Sequence, residues 1–164
     1  MRLETARLTV RPFTEEDLPY ASYLADPVTM AYVQKPMDAG EAIAFLRKYA
    51  LVEHPAVWAL EYRETGLLLG HVIFHPFDDR GAWEIGWVLD SRVRGHGLAP
   101  ESGRALIVHA FSRGDVTRLV AETAPENAAA RAVVRKLGMT PCGEENGLLQ
   151  FELKNTFGCS CKGE

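Results

Sequence analysis

The run Arg92-Val93-Arg94-Gly95-His96-Gly97-Leu98-Ala99-Pro100-Glu101 has the residue types that hold a phosphate group. Two glycines let the backbone approach a ligand closely, and two arginines add positive charge. The run leads into a helix expected from about Ala99 to Ser112. No Ser, Thr, Asp or Asn stands at the first cap position of that helix. Its opening N–H groups, and the positive end of its dipole, therefore lack a protein partner, and an anion fits there. On residue types alone, a glycine-rich turn into a helix describes the run equally well. Two nucleotide readings fail. Pro100 stands where a dinucleotide Gly-x-Gly-x-x-Gly has its third glycine, and no Gly-Lys-Ser/Thr follows, as a Walker loop requires.

The elements that must carry this run can be read from spacing. Trp83 to Leu89 is a strand, with Trp83, Ile85 and Trp87 on one face and Glu84, Gly86 and Val88 on the other. It closes an antiparallel meander with Val57 to Glu61 and Leu67 to Phe74. Before the meander, Leu8 to Pro12 alternates as a first strand. Thr14-Glu15-Glu16-Asp17 resembles a helix start, with Phe13 and Leu18 placed as a hydrophobic staple. Pro19 suits only a first helical turn and points to Asp17 as the cap, and Asp26-Pro27 stops that helix. Ala39 to Leu51 is a second helix. After the phosphate run come a strand at Arg118 to Thr123 and a helix capped by Asn127 and closed by Gly138. A final hairpin, Thr140 to Glu144 and Leu148 to Leu153, turns on Glu145-Asn146-Gly147. The expected architecture is α/β (α+β): one domain, residues 1–156, with a mixed, mostly antiparallel sheet of about six to seven strands and about four flanking helices. Residues 157–164 are expected to be a disordered tail.

Composition narrows the function classes. The chain has 164 residues, 47 % hydrophobic and 24 % charged, which suits a soluble globular domain. A net charge of −4 argues against broad adhesion to nucleic acid or to an anionic membrane surface. No apolar run approaches the ~20 residues of a membrane-spanning helix, and the N-terminus has no signal-peptide pattern. Three cysteines, two of them in Cys159-Ser160-Cys161, make no disulfide framework and point to a reducing, cytoplasmic setting. No second Cys or His pair accompanies Cys159 and Cys161, so no metal site is expected.

Arg94-x-x-Gly97-x-Ala99 after a Glu-Ile-Gly-Trp strand resembles the acetyl-CoA motif of the GNAT superfamily of N-acetyltransferases. Pro125-Glu126-Asn127 followed by Lys136-Leu137-Gly138-Met139 resembles the next signature of that superfamily. Thr5-Ala6-Arg7-Leu8-Thr9-Val10-Arg11-Pro12 and Ala25-Asp26-Pro27-Val28 look like its RimJ/RimL branch, which acetylates protein N-termini among other amines. The resemblance implies an acyltransferase using acetyl-CoA, with no metal. Backbone N–H groups from Arg94 through Gly95, His96, Gly97 and Leu98 to Ala99 would hold the pyrophosphate. Backbone groups of Trp87, Val88 and Leu89 would pair with the pantetheine arm, and Asn127 would reach the coenzyme as well as capping its helix. Two positions depart from the branch: Pro100 replaces a frequent threonine and removes one N–H, and Ala130 replaces a serine. Ala130 shares a helical face with Val133, Val134 and Leu137, which gives it a packing role.

Direct transfer needs a neutral amine. A lysine-type amine, pKa about 10.4, requires a base, whereas an α-amine near 8 requires little help. Glu84, beside the expected pantetheine path, is the candidate base, with Glu152 second. Many relatives use a tyrosine on the later helix as acid. Here Tyr20, Tyr23, Tyr32, Tyr49 and Tyr62 all precede the acetyl-CoA motif, so none stands on the later helix and the thiolate is left to depart unassisted or through water. The acceptor would be a protein N-terminal α-amine or a small-molecule amine, selected by Leu18 to Leu51 and the hairpin near Gly147. Tyr20, Tyr23, Tyr32 and Phe45 either line that pocket or belong to the core. A non-catalytic acyl-CoA-binding sensor or interaction module is the alternative, and the assembly is a monomer or a homodimer.

Overall fold

In the computed structural model, which describes residues 1–156, eight strands form one sheet in the order β1-β2-β3-β4-β5-β6-β8-β7. They are β1 (Leu3–Glu4), β2 (Leu8–Arg11), β3 (Val57–Tyr62), β4 (Leu67–Pro76), β5 (Ala82–Leu89), β6 (Arg118–Thr123), β7 (Thr140–Glu145) and β8 (Leu148–Lys154). The α-helices are α1 (Pro27–Met30), α2 (Ala39–Tyr49), α3 (Leu98–Ser112) and α4 (Ala128–Lys136), with 3-10 segments at Glu15–Leu24 and Ser91–Val93. The strand count exceeds the expected six to seven. One cause is β1, a two-residue strand that pairs Leu3 with Val10 and Glu4 with Thr9, too short for a periodic signal. The cysteines at 159 and 161, and the expected tail, lie outside the described residues.

The alternation of β5 sorts the molecule into layers. Ile85 and Leu89 join Leu8, Leu60, Val72, Phe74 and Phe151 in a core roofed by Leu106 and Ala110 of α3 and by Val134 of α4, with Leu137 just beyond it. On the other face Val88 joins Val57 and Ala59 beneath Ala21, Leu24, Met30 and Leu46. Gly70 is required where β4 crosses β5: its φ is +141°, and a Cβ there would lie 2.1 Å from Val88 O.

The N-terminal segment departs from expectation. Its helix is 3-10, runs over Glu15–Leu24 with Thr14 as its cap, and carries Pro19 inside it. Asp17 is not the cap. Its carboxylate reaches back to the Thr14 N–H at 2.8 Å, and Arg11 grips the same carboxylate while also bonding Glu61. Asp26 begins a new helix as well as ending the old segment, accepting from the N–H groups of Val28 and Thr29 at the start of α1.

Among the described residues β5–β6 is the only parallel pair, and it is short. Ala82, Trp83 and Glu84 face Arg118, Leu119 and Val120, after which the strands part. From Ile85 to Leu89 the edge of β5 toward β6 has no strand partner among the described residues, while β6 continues against β8.

Candidate active site

The unpaired edge of β5 leads straight into the start of α3. Gly97 caps that helix in the left-handed region, φ +74°, with no side-chain cap. Among the described residues, the N–H groups of Gly95, His96, Gly97, Leu98 and Ala99 have no protein acceptor. Five free amides at a helix N-terminus fit a diphosphate, and a free strand edge fits an amide-bearing arm such as pantetheine. The Arg94 N–H donates to Ser91 O at 3.4 Å, so the free amides begin one residue later than expected. Pro100, with no N–H to give, is buried in the first turn of α3.

The two arginine side chains do not add the charge to the cradle that their types suggested. Arg92 is paired with Asp90. Arg94 donates to the carbonyls of Leu89, Val28 and Thr29 at 3.3, 3.1 and 2.8 Å, tying the loop to α1. Asp26 strengthens that tie by accepting from the Ser91 hydroxyl at 2.6 Å. The His96 ring is exposed, its Nδ1 lying 2.9 Å from Arg94 O. Trp87 is fixed to the same helix, its Nε1–H donating to buried Ser102 at 3.0 Å. Asn127 accepts from the Ala130 N–H at 3.0 Å, the expected cap, and its amide nitrogen has no partner among the described residues.

Glu84 sits where the strands part, on the face of β5 away from α3. Residues paired across strands share a face, so His75, Glu84, Val120 and Glu152 form one row. Sequence reasoning missed His75. Its Nδ1 lies 2.8 Å from Pro76 O, which can only accept, so that nitrogen carries a proton and Nε2 is left facing the Glu84 carboxylate at 3.1 Å. The hydrogen bond with Glu84 raises the imidazole pKa above its ordinary value, burial opposes the shift, and the Pro76 carbonyl reinforces it. A cavity of about 490 Å³, lined also by Trp58, Phe74, Trp83 and His109, reaches His75 from the far end of α3. Glu152, the second candidate base, is held by Arg118 and Lys154.

On the same face, beneath the Glu15–Leu24 segment, His71 is buried, its Nδ1 lying 2.8 Å from the Tyr23 hydroxyl. Burial lowers its pKa to about 3 and keeps it neutral. Phe45 stacks beside it, 5.8 Å between ring centres. Tyr23 is thus core, whereas Tyr20 and Tyr32 are exposed.

A family model described as an acetyltransferase (GNAT) domain matches residues 7–140. The uncharacterized N-acetyltransferase YnaD of Bacillus subtilis is 28 % identical over 141 residues, spanning 85 % of this chain and 82 % of that protein. Among solved structures, an acetyltransferase (GNAT family) from Bacillus anthracis superposes with a TM-score of 0.85 at 22 % identity, covering 94 % of this chain and 99 % of that one. The ribosomal L7/L12 alpha-N-protein acetyltransferase RimL, in complex with coenzyme A, gives 0.80 at 20 % identity over 94 % and 98 %.

Proposed function

The chain belongs to the GNAT acetyltransferase family and is an acyltransferase, and from that premise we propose that it transfers acetyl directly from acetyl-CoA to a primary amine, by preference a protein N-terminal α-amine. The observation that carries this reading is the unpaired β5 edge running into five partnerless amides at the start of α3. The diphosphate is held by the amides of Gly95 to Ala99. The pantetheine arm pairs with the backbone of Trp87, Val88 and Leu89, and Asn127 reaches the coenzyme from α4. The coenzyme supplies the activated thioester.

Glu84 takes the proton of the attacking amine. It stands where the β5 edge opens, on the face away from α3, and so faces an acceptor arriving beside the thioester. Its carboxylate is shared with His75, which favours an amine that needs little help, an α-amine near pKa 8 over a lysine near 10.4. The likeness to RimL, an alpha-N-protein acetyltransferase by name, points the same way. Ala130 and Pro100 offer no proton to the leaving thiolate, which departs unassisted or through water. A thiol pKa near 8.5 permits this.

Gly97→Val tests the cradle. A Cβ at Gly97 has room, its nearest neighbour being Arg7 at 3.8 Å, but a β-branched residue resists φ +74°. Calorimetry should find coenzyme A binding lost while the melting temperature falls by only a few degrees. Unchanged binding would overturn the site.

A further inference from the structure

The Thr5-Ala6-Arg7 stretch has no part in the acetyl transfer described so far, yet it is wired into the cradle. Arg7 lies in the turn between β1 and β2, 94 residues in sequence from its partner Glu101 in the first turn of α3. Its Nε donates to Glu101 at 2.7 Å and its backbone N–H donates to the other oxygen of that carboxylate at 2.9 Å. The Thr5 hydroxyl adds a bond of 2.5 Å to the same group. The remaining arm, Nη1, donates to His96 O at 3.0 Å, at the centre of the Gly95-His96-Gly97 turn.

Resting on the coenzyme reading above, we propose that Arg7 is a positioning residue for the coenzyme diphosphate, acting through Glu101 and through the carbonyl of His96. Two physical effects follow from the one guanidinium. Holding the His96 carbonyl on the outer side of the turn fixes the orientation of the peptide planes whose N–H groups form the cradle. Neutralising Glu101 removes a carboxylate that would repel an anion arriving at the same helix end. Burial pushes the Glu101 pKa up, but the hydrogen bonds from Thr5 and Arg7 outweigh it and keep the group ionised, so its charge needs this compensation. Arg92 and Arg94 are committed to Asp90 and to carbonyls, and Arg7 balances the Glu101 charge at the mouth of the cradle.

The test compares coenzyme A affinity by calorimetry in the wild type, Arg7→Gln, Arg7→Lys and the double variant Arg7→Gln/Glu101→Gln. It also measures kcat/KM with acetyl-CoA and with S-acetylpantetheine, which lacks the diphosphate. Arg7→Gln should weaken coenzyme A binding at least tenfold, and the double variant should regain at least threefold of that loss because the uncompensated carboxylate is gone. Arg7→Lys, which keeps the charge but cannot reach both acceptors at once, should fall between. Turnover of S-acetylpantetheine should change less than twofold. An affinity in Arg7→Gln within twofold of wild type overturns the inference. So does a double variant as weak as the single, which would make Arg7 a direct phosphate ligand, or equal losses with both donors, which would make its role structural. Failure of the wild type to bind coenzyme A overturns the functional reading itself, a distinct result.

Discussion

His75 Nε2 stands 3.1 Å from a Glu84 carboxylate oxygen, and the opposite ring nitrogen is fixed on Pro76 O. The candidate base therefore shares its site with an imidazole placed by the β4–β5 register. Glu84→Gln should lower kcat/KM by about 100-fold or more for a lysine-like amine, and by clearly less for an α-amine. Rates for both amines from about pH 6 to 10, spanning the acceptor pKa values, check this. Equal losses at every pH would remove Glu84 from the role of base.

His71 gives the stability a pH dependence of known sign. Burial holds its folded pKa near 3, while the unfolded value is about 6.5. Between those values the unfolded chain binds a proton that the folded one does not, so stability rises with pH through that window and levels off above it. Wild type should lose about 2 kcal/mol from this group between pH 7 and pH 5. His71→Gln should lack that loss. Urea unfolding of both at the two pH values measures it, and an identical pH difference in the two proteins would contradict it.

Gly103 sets the distance between α3 and the sheet. A Cβ there would come within 2.7 Å of Leu137 and 2.8 Å of the Trp87 ring. Gly103→Val should therefore cost about 1–3 kcal/mol by overpacking, and by shifting Trp87 it should also raise KM for acetyl-CoA. A melting temperature and KM both unchanged would show that α3 packs less closely here than described.

Much of this was legible in the sequence. The alternation in Trp83–Leu89 assigned both faces of β5, Asn127 and Gly138 bounded α4, and Asn146-Gly147 gave the last turn, where both residues have positive φ. What stayed hidden depends on long-range pairing. His75 reads as an ordinary strand histidine until register sets it opposite Glu84. Arg7 is remote in sequence from Glu101 and His96, and nothing local marks their contact. Arg94 shows the reverse. Its type suggested charge for a phosphate, but the carbonyls at the end of α1 claim its guanidinium. The parting of β5 from β6 is likewise tertiary, since both strands have ordinary strand composition.

Acetyl transfer to an α-amine is measured most directly by free-thiol release from acetyl-CoA. The acceptors should be a peptide with a free N-terminus and no lysine, and an N-terminally blocked peptide carrying one lysine. The free N-terminus should release thiol stoichiometrically with acetylation and at a higher kcat/KM than the lysine. Coenzyme A binding without thiol release from either peptide or from small amines would contradict the account and leave a binding module in its place.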